Sequence, residues 1–126
     1  MKGIVVTTDL EIRIEEFSDP LYKTVGSAVG GYIEHVKPAR LRHPYCMIVN
    51  EEGRLLDLPL NHIGSFFYGT DQHGEPIVGN IVVMKDGYRN GELDIVGLDD
   101  SEVEQVKYTI STLISMMNLQ PKGDNT

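Results

Sequence analysis

The sequence predicts an α+β domain: a single mixed β-sheet with helices packed on one face and an amphipathic helix at the C-terminal end. Three observations carry this expectation. Strand-like runs come in pairs with turn or loop residues between them, at 4–8 and 10–15, 32–36 and 45–49, and 77–84 and 92–96. Val103, Val106, Ile110, Leu113, Ile114 and Met117 recur at helical spacing and make one apolar stripe. A chain of 126 residues, 40% hydrophobic and 24% charged, has the size and composition of one globular domain, able to bury about two-thirds of its unfolded surface without a disulfide or metal staple. Residues 1–118 are expected to form that domain, and residues 119–126 a polar tail containing Pro121 and Gly123.

The elements follow in order. Residues 4–8 are rich in β-formers. Leu10, Ile12 and Ile14 then alternate with Glu11, Arg13 and Glu15, the period of a half-buried strand with a charged outer face. Asp9 falls at the turn between the two. Ser18-Asp19-Pro20 reads as a helix start, with a side-chain oxygen to cap and a proline where no amide hydrogen is needed. That helix carries Leu21, Val25 and Val29 on one face and stops at Gly30-Gly31.

Residues 32–36 form the next strand. Residues 37–44, fenced by Pro38 and Pro44, are the only basic segment and read as a loop. Residues 45–49 are a strand, Asn50-Glu51-Glu52-Gly53 a tight connection, and 54–58 a strand pairing back until Pro59 stops it. Asn61 caps a short helix that runs through Tyr68 and ends at Gly69. Residues 70–76 are an exposed loop. Residues 77–84 are apolar enough for a central strand covered on both faces. Asp86-Gly87 and Asn90-Gly91 are turn signals, and 92–96 returns as an edge strand. Asp99 and Glu102 make a capping box, with Leu98 and Val103 at the staple positions. The order up to Met84 is close to a β-grasp.

Composition narrows the function. The net charge is −8, with 19 acidic residues against 11 basic ones. Such a surface repels phosphate, so direct nucleic-acid binding is not expected. The acidity reads as solubility or as mimicry of DNA, although the acidic residues are scattered. No run of about 20 apolar residues could span a membrane. The apolar run near Met1 is too short for a signal-peptide core, so the expected location is the cytoplasm.

Catalytic chemistry is not visible. His35, His43, His62 and His73 stand far apart without metal-ligand spacing, so neither metal nor cofactor is expected. Cys46, in an apolar run, reads as a small buried hydrophobe. The glycines from Gly26 to Gly31 lie in or at the end of a helix rather than ahead of one. Ser65 lacks the flanks of a nucleophile elbow. Glu51-Glu52 and Asp99-Asp100 have turn and cap roles. The chain is expected not to be an enzyme.

Two segments could recognise a ligand. Asn61 capping a short helix would leave its N–H groups aimed at an anion or carbonyl, with His62 and Ser65 on the same turn and Tyr68 as a stacking face. The plainer reading is that Asn61 is only a cap and the aromatics fill the core. In the basic loop, Lys37, Arg40 and Arg42 with His43 could clamp phosphates, or the segment could simply be an exposed hairpin loop. Asn61, His62, Ser65, Tyr68, Arg40 and Arg42 are the candidate ligand-binding set.

Gly30-Gly31, Asn50-Glu51-Glu52-Gly53, Leu58-Pro59-Leu60-Asn61 and Ile77-Val78-Gly79, in that order, resemble the family filed as domain of unknown function 3846. That family is found mostly in phages, plasmids and integrated elements. The resemblance runs from about residue 29 to 83. Many relatives follow the Asn with an Arg-Ala-Thr-like step, where this chain has His62-Ile63-Gly64-Ser65. The resemblance implies a mobile-element setting and carries no activity. The expectation is a non-catalytic accessory protein that binds a host component. It would act by sequestering a small anionic, nucleotide-type signal used in host immunity, or by blocking a host protein through its acidic surface. A structural or regulatory partner of phage replication or transcription is the alternative. A homo-oligomer is expected as well. So small a chain has little with which to cover both faces of a sheet, and Met116 and Met117 end the last helix.

Overall fold

The computed structural model describes residues 1–120; the rest of the expected tail, 121–126, lies outside the described residues. The elements are β1 (Lys2–Val6), β2 (Ile12–Glu16), α1 (Leu21–Val29), β3 (Ile33–Val36), β4 (Tyr45–Asn50), α2 (His62–Tyr68), α3 (Thr70–His73), β5 (Ile81–Arg89), β6 (Glu92–Val96) and α4 (Asp100–Met116). The α+β class and the C-terminal helix are as expected. No described helix is long and apolar enough to cross a membrane.

The strands form one sheet in the order β2-β1-β5-β4-β3, with β6 also paired to β5. Val82 and Val83 of β5 pair with Val5 and Ile4 on one side and with Ile48 and Met47 on the other. Further along, Lys85 opposes Tyr45 of β4 and Val96 of β6. So β6 takes up the edge of β5 that β1 leaves, and a bridge from Lys2 to Leu98 joins the two.

Alternation along the strands divides the core. Val5, Cys46, Ile48, Val82 and Met84 pack under Leu21, Val25 and Val29 of α1. Ile4, Val6, Met47, Val49, Ile81 and Val83 pack under α2 and α4, against Ile63, Phe67, Val103, Val106 and Ile110. A strand covered on both faces has no polar side to show, which is why the middle of β5 is continuously apolar.

Several details depart from the sequence reading. Every ladder is antiparallel rather than mixed, and helices cover both faces rather than one. A β-grasp needs a parallel central pair, so that arrangement does not form. The covered faces also remove the premise from which an oligomer was expected.

Residues 54–57 are turns and Leu58 has no regular structure, instead of a strand over 54–58. Both edges of β4 are already taken by β3 and β5, and the segment bonds to itself through Leu56 N–H to Glu52 O and Leu58 N–H to Gly53 O. Asp86-Gly87 lies inside β5 and is not a turn. A Cβ on Gly87 would stand 2.6 Å from Val96 Cγ2, so the glycine serves the close approach of β6. The hairpin turn sits at Asn90-Gly91, both with positive φ. At α1 the N-cap is Pro20, without a side-chain bond.

Candidate functional site

Asn61 and Ser65 face inward. Asn61 is completely buried. Its Oδ1 accepts from Gly64 N–H at 2.9 Å, while Nδ2 donates to Val6 O at 3.0 Å and Gly79 O at 2.9 Å. The expected cap is real, but it looks into the protein and ties α2 to β1 and to the entry of β5. Ser65 Oγ donates to Ile77 O at 3.2 Å and accepts from Ile77 N–H at 3.0 Å. Both side chains are satisfied internally, so the helix start offers no outward anion site built on them.

The other four candidates are split. His62 is exposed beside Phe66, in a depression that Arg40 and Ser65 also line, with Asp71 and Met117, so three of the six expected residues share it. Tyr68 is half-buried, edge-on to His73 at 4.9 Å, and lines a different depression with Glu34, Glu51 and the Arg54–Glu75 ion pair. Carboxylates there disfavour an anion. Arg40 forks onto Asp71 at 2.6 and 2.9 Å, donates to Phe66 O at 3.0 Å and stacks over the Phe66 ring at 4.6 Å. These bonds hold the Asp71 carboxyl well below the usual carboxylate range. The Arg40 charge is therefore already matched.

Arg42 differs. It is exposed and, among the described residues, has no carboxylate partner. It stands on a groove of about 510 Å³ between residues 40–45 and α4. Leu41 and Val106 make the floor, Tyr45 and Tyr108 supply rings, and Gln105 and Thr109 supply polar edges. The α4 stripe explains the geometry. Val103, Val106 and Ile110 turn into the core, which leaves Gln105, Tyr108 and Thr109 along the flank that meets the loop. Tyr108 is 75% exposed. The Tyr45 hydroxyl lies 3.5 Å from Gln105 Oε1, and burial, then the nearby Glu102, raises its pKa, so it stays a protonated donor.

Of the expected residues, only Arg40 and Arg42 meet in this groove. Tyr45, Gln105 and Tyr108 were missed. The one sequence signal for them is that Gln105 and Tyr108 sit just off the apolar stripe of α4.

The groove holds no activated nucleophile. Cys46 is buried on the other face of the sheet, its thiol pushed up to about 12 by burial and then by Asp86. Among the described residues, one set of side chains can meet around an ion: His35, Cys46 and Asp86, also on that other face.

The sequence model of the family described as Domain of unknown function (DUF3846) matches residues 1–111. The match spans every strand and reaches into α4, well beyond the segment that carries the motif resemblance. No curated protein matches the chain, and no solved structure does. With most of its length matched, the chain belongs to the DUF3846 family.

Proposed function

We propose that this protein is a non-catalytic binder of a small anionic, ring-bearing ligand of nucleotide type, held in the groove between residues 40–45 and α4. One observation carries the reading: Arg42, which has no carboxylate partner among the described residues, lines the same groove as the exposed ring of Tyr108, with the apolar Leu41 and Val106. The volume falls within the usual range of about 300–1,000 Å³ for small-molecule sites. Arg42 would meet the anion and Tyr108 would stack on the ring. Arg40, already bonded to Asp71, would shape the wall. Asn61 and Ser65 hold the fold, while His62 and Tyr68 lie outside this groove.

Such a protein acts by occupancy. In a phage or plasmid setting, inside a bacterial host's cytoplasm, it would sequester a host signal and blunt a defence that depends on it. Association of two copies is a separate proposal that rests only on the exposed Met116 at the end of α4, and a monomer mass by light scattering would remove it.

The test is calorimetric titration of the purified chain with mono-, di- and cyclic nucleotides. Arg42→Ala and Tyr108→Ala should each weaken binding about tenfold to a hundredfold, since a bidentate arginine and a base-stacking contact are each worth about 1–3 kcal/mol. If no nucleotide binds, or both folded variants bind like the wild type, the reading is wrong.

A second reading, a blocker of a host protein, draws on a different surface. Leu55, Leu56 and Leu60 are exposed in a segment that also carries exposed Glu51, Arg54 and Asp57. Loss of biological inhibition in a Leu55→Ser, Leu56→Ser double variant that still binds nucleotide would favour it.

A further inference from the structure

The face of the sheet turned away from the groove carries a second group of chemically active side chains. His35 lies on β3, Cys46 on β4 and Asp86 on β5. The register brings them together. His35 is paired with Ile48 and Cys46 with Met84, and strand alternation puts Asp86 on the same side as Met84. One ligand atom from each, an imidazole nitrogen, the sulfur and a carboxylate oxygen, lie within 4.8 Å of one another. His35 Nε2 is 2.7 Å from Asp86 Oδ1, and the Cys46 sulfur lies within 4.8 Å of both groups.

We propose that His35, Cys46 and Asp86 form a binding site for a divalent transition metal, zinc being the natural occupant, with the fourth position open to solvent.

The donor set favours zinc. One thiolate, one imidazole and one carboxylate suit a borderline ion, and do not suit magnesium or calcium, which select oxygen. The three come from adjacent hydrogen-bonded strands, so their backbone positions are fixed by the sheet rather than by a loop. A tetrahedral zinc with bonds of about 2.0–2.3 Å sets its ligands about 3.3–3.6 Å apart. The 2.7 Å contact would therefore open by about 0.6 Å, and no separation, all being within 4.8 Å, would have to close by more than about 1.2 Å.

Burial sets the direction of approach. Cys46 is completely buried and closes the inner side, whereas the side chains of His35 and Asp86 are 43% and 26% exposed and open the outer one. An ion enters past them and keeps a water there. The thiol proton leaves to solvent as the metal–sulfur bond forms, the imidazole binds through a neutral nitrogen, and no electron is transferred. The +2 ion is then matched by one thiolate and one carboxylate. With a metal between them, both become ligands.

Chelator-treated full-length protein, titrated with Co²⁺, tests the site. Binding of one ion per chain should bring a near-ultraviolet sulfur-to-cobalt charge-transfer band and the visible bands of a tetrahedral ion, both erased by added Zn²⁺. Cys46→Ser should abolish the charge-transfer band. His35→Ala and Asp86→Asn, at partly exposed positions, should each weaken binding at least tenfold while the circular dichroism stays native. Zinc should raise the melting temperature of the wild type and of none of the three variants. Absence of saturable binding, a bound cobalt lacking the sulfur band, or unchanged affinity in the His35 and Asp86 variants would each overturn the proposal.

Discussion

The side-chain amide of Asn61 donates to the carbonyl of Val6, a residue 55 positions earlier, at 3.0 Å. A second bond from the same nitrogen reaches Gly79 O, while the side-chain oxygen caps α2. One buried side chain thus serves three elements. Removing it strands three buried polar groups, and a buried group left without a partner costs about 1–3 kcal/mol. Asn61→Ala should lower stability by about 3–5 kcal/mol in chemical denaturation. Asn61→Asp separates the roles. Aspartate caps helices as well as asparagine does, but it would turn an acceptor toward two carbonyls. It should be at least as destabilising as alanine at neutral pH, and wild-type stability in this variant would show that the two carbonyl bonds contribute nothing.

Gly87 opposes Asp94 in the β5–β6 ladder, and its missing Cβ makes room for Val96. Gly87→Ala should cost about 1–3 kcal/mol by overpacking. Adding Val96→Ala should restore part of that loss in a double-mutant cycle. Strict additivity of the two changes would mean that they do not meet.

The Arg40–Asp71 pair predicts an acid-side effect. Bonds from Arg40, and then from Gln72, depress the Asp71 pKa in the folded protein. A depressed carboxylate contributes stability that is present above its unfolded pKa of about 3.9 and is lost as pH falls through the folded value. The stability gap between wild type and Asp71→Asn should therefore shrink below about pH 4 in pH-dependent thermal melts. The pair is at the surface, so the gap should be small at neutral pH and smaller still in high salt. A gap that stays constant through the acid range would deny the pair any role.

The Cys46 thiol should be inert in the native, metal-free protein. Burial and Asp86 push its pKa up to about 12, so almost none of it is thiolate at neutral pH. Alkylation should run about a hundredfold or more slower than in the denatured chain, even allowing for the greater nucleophilicity of a more basic thiolate. Equal rates with and without denaturant would mean that the thiol is reached from solvent.

What the sequence discloses depends on how far apart the interacting groups lie. The Asp99–Glu102 capping box, the Asn61 cap and the helix stops at Gly30 and Gly69 are local arrangements, and each forms where its residues indicate. Residues 54–58 look like a strand because a local window cannot show that β4 has no free edge. Asp-Gly ordinarily marks a turn, yet at 86–87 the glycine answers to Val96, nine residues on. That misreading had a further effect. With Asp86 placed in a turn, nothing connected it to His35 and Cys46, although a hairpin register over residues 33–50 already brings those two close. The groove was harder still, since Arg42 and Tyr108 line one groove only because α4 is laid across the sheet beside the loop.

The position of β5 between β1 and β4 governs the order in which the chain can fold as it leaves the ribosome. Two hairpins, β1–β2 and β3–β4, can pair early, because their partners are close in sequence. Neither is complete, since Val5 and Ile48 both await Val82. A nascent chain halted near residue 80 would hold two apolar strand edges with nothing between them, the condition in which edges recruit one another between molecules. Only when Ile81–Arg89 has emerged is the strand that separates them supplied.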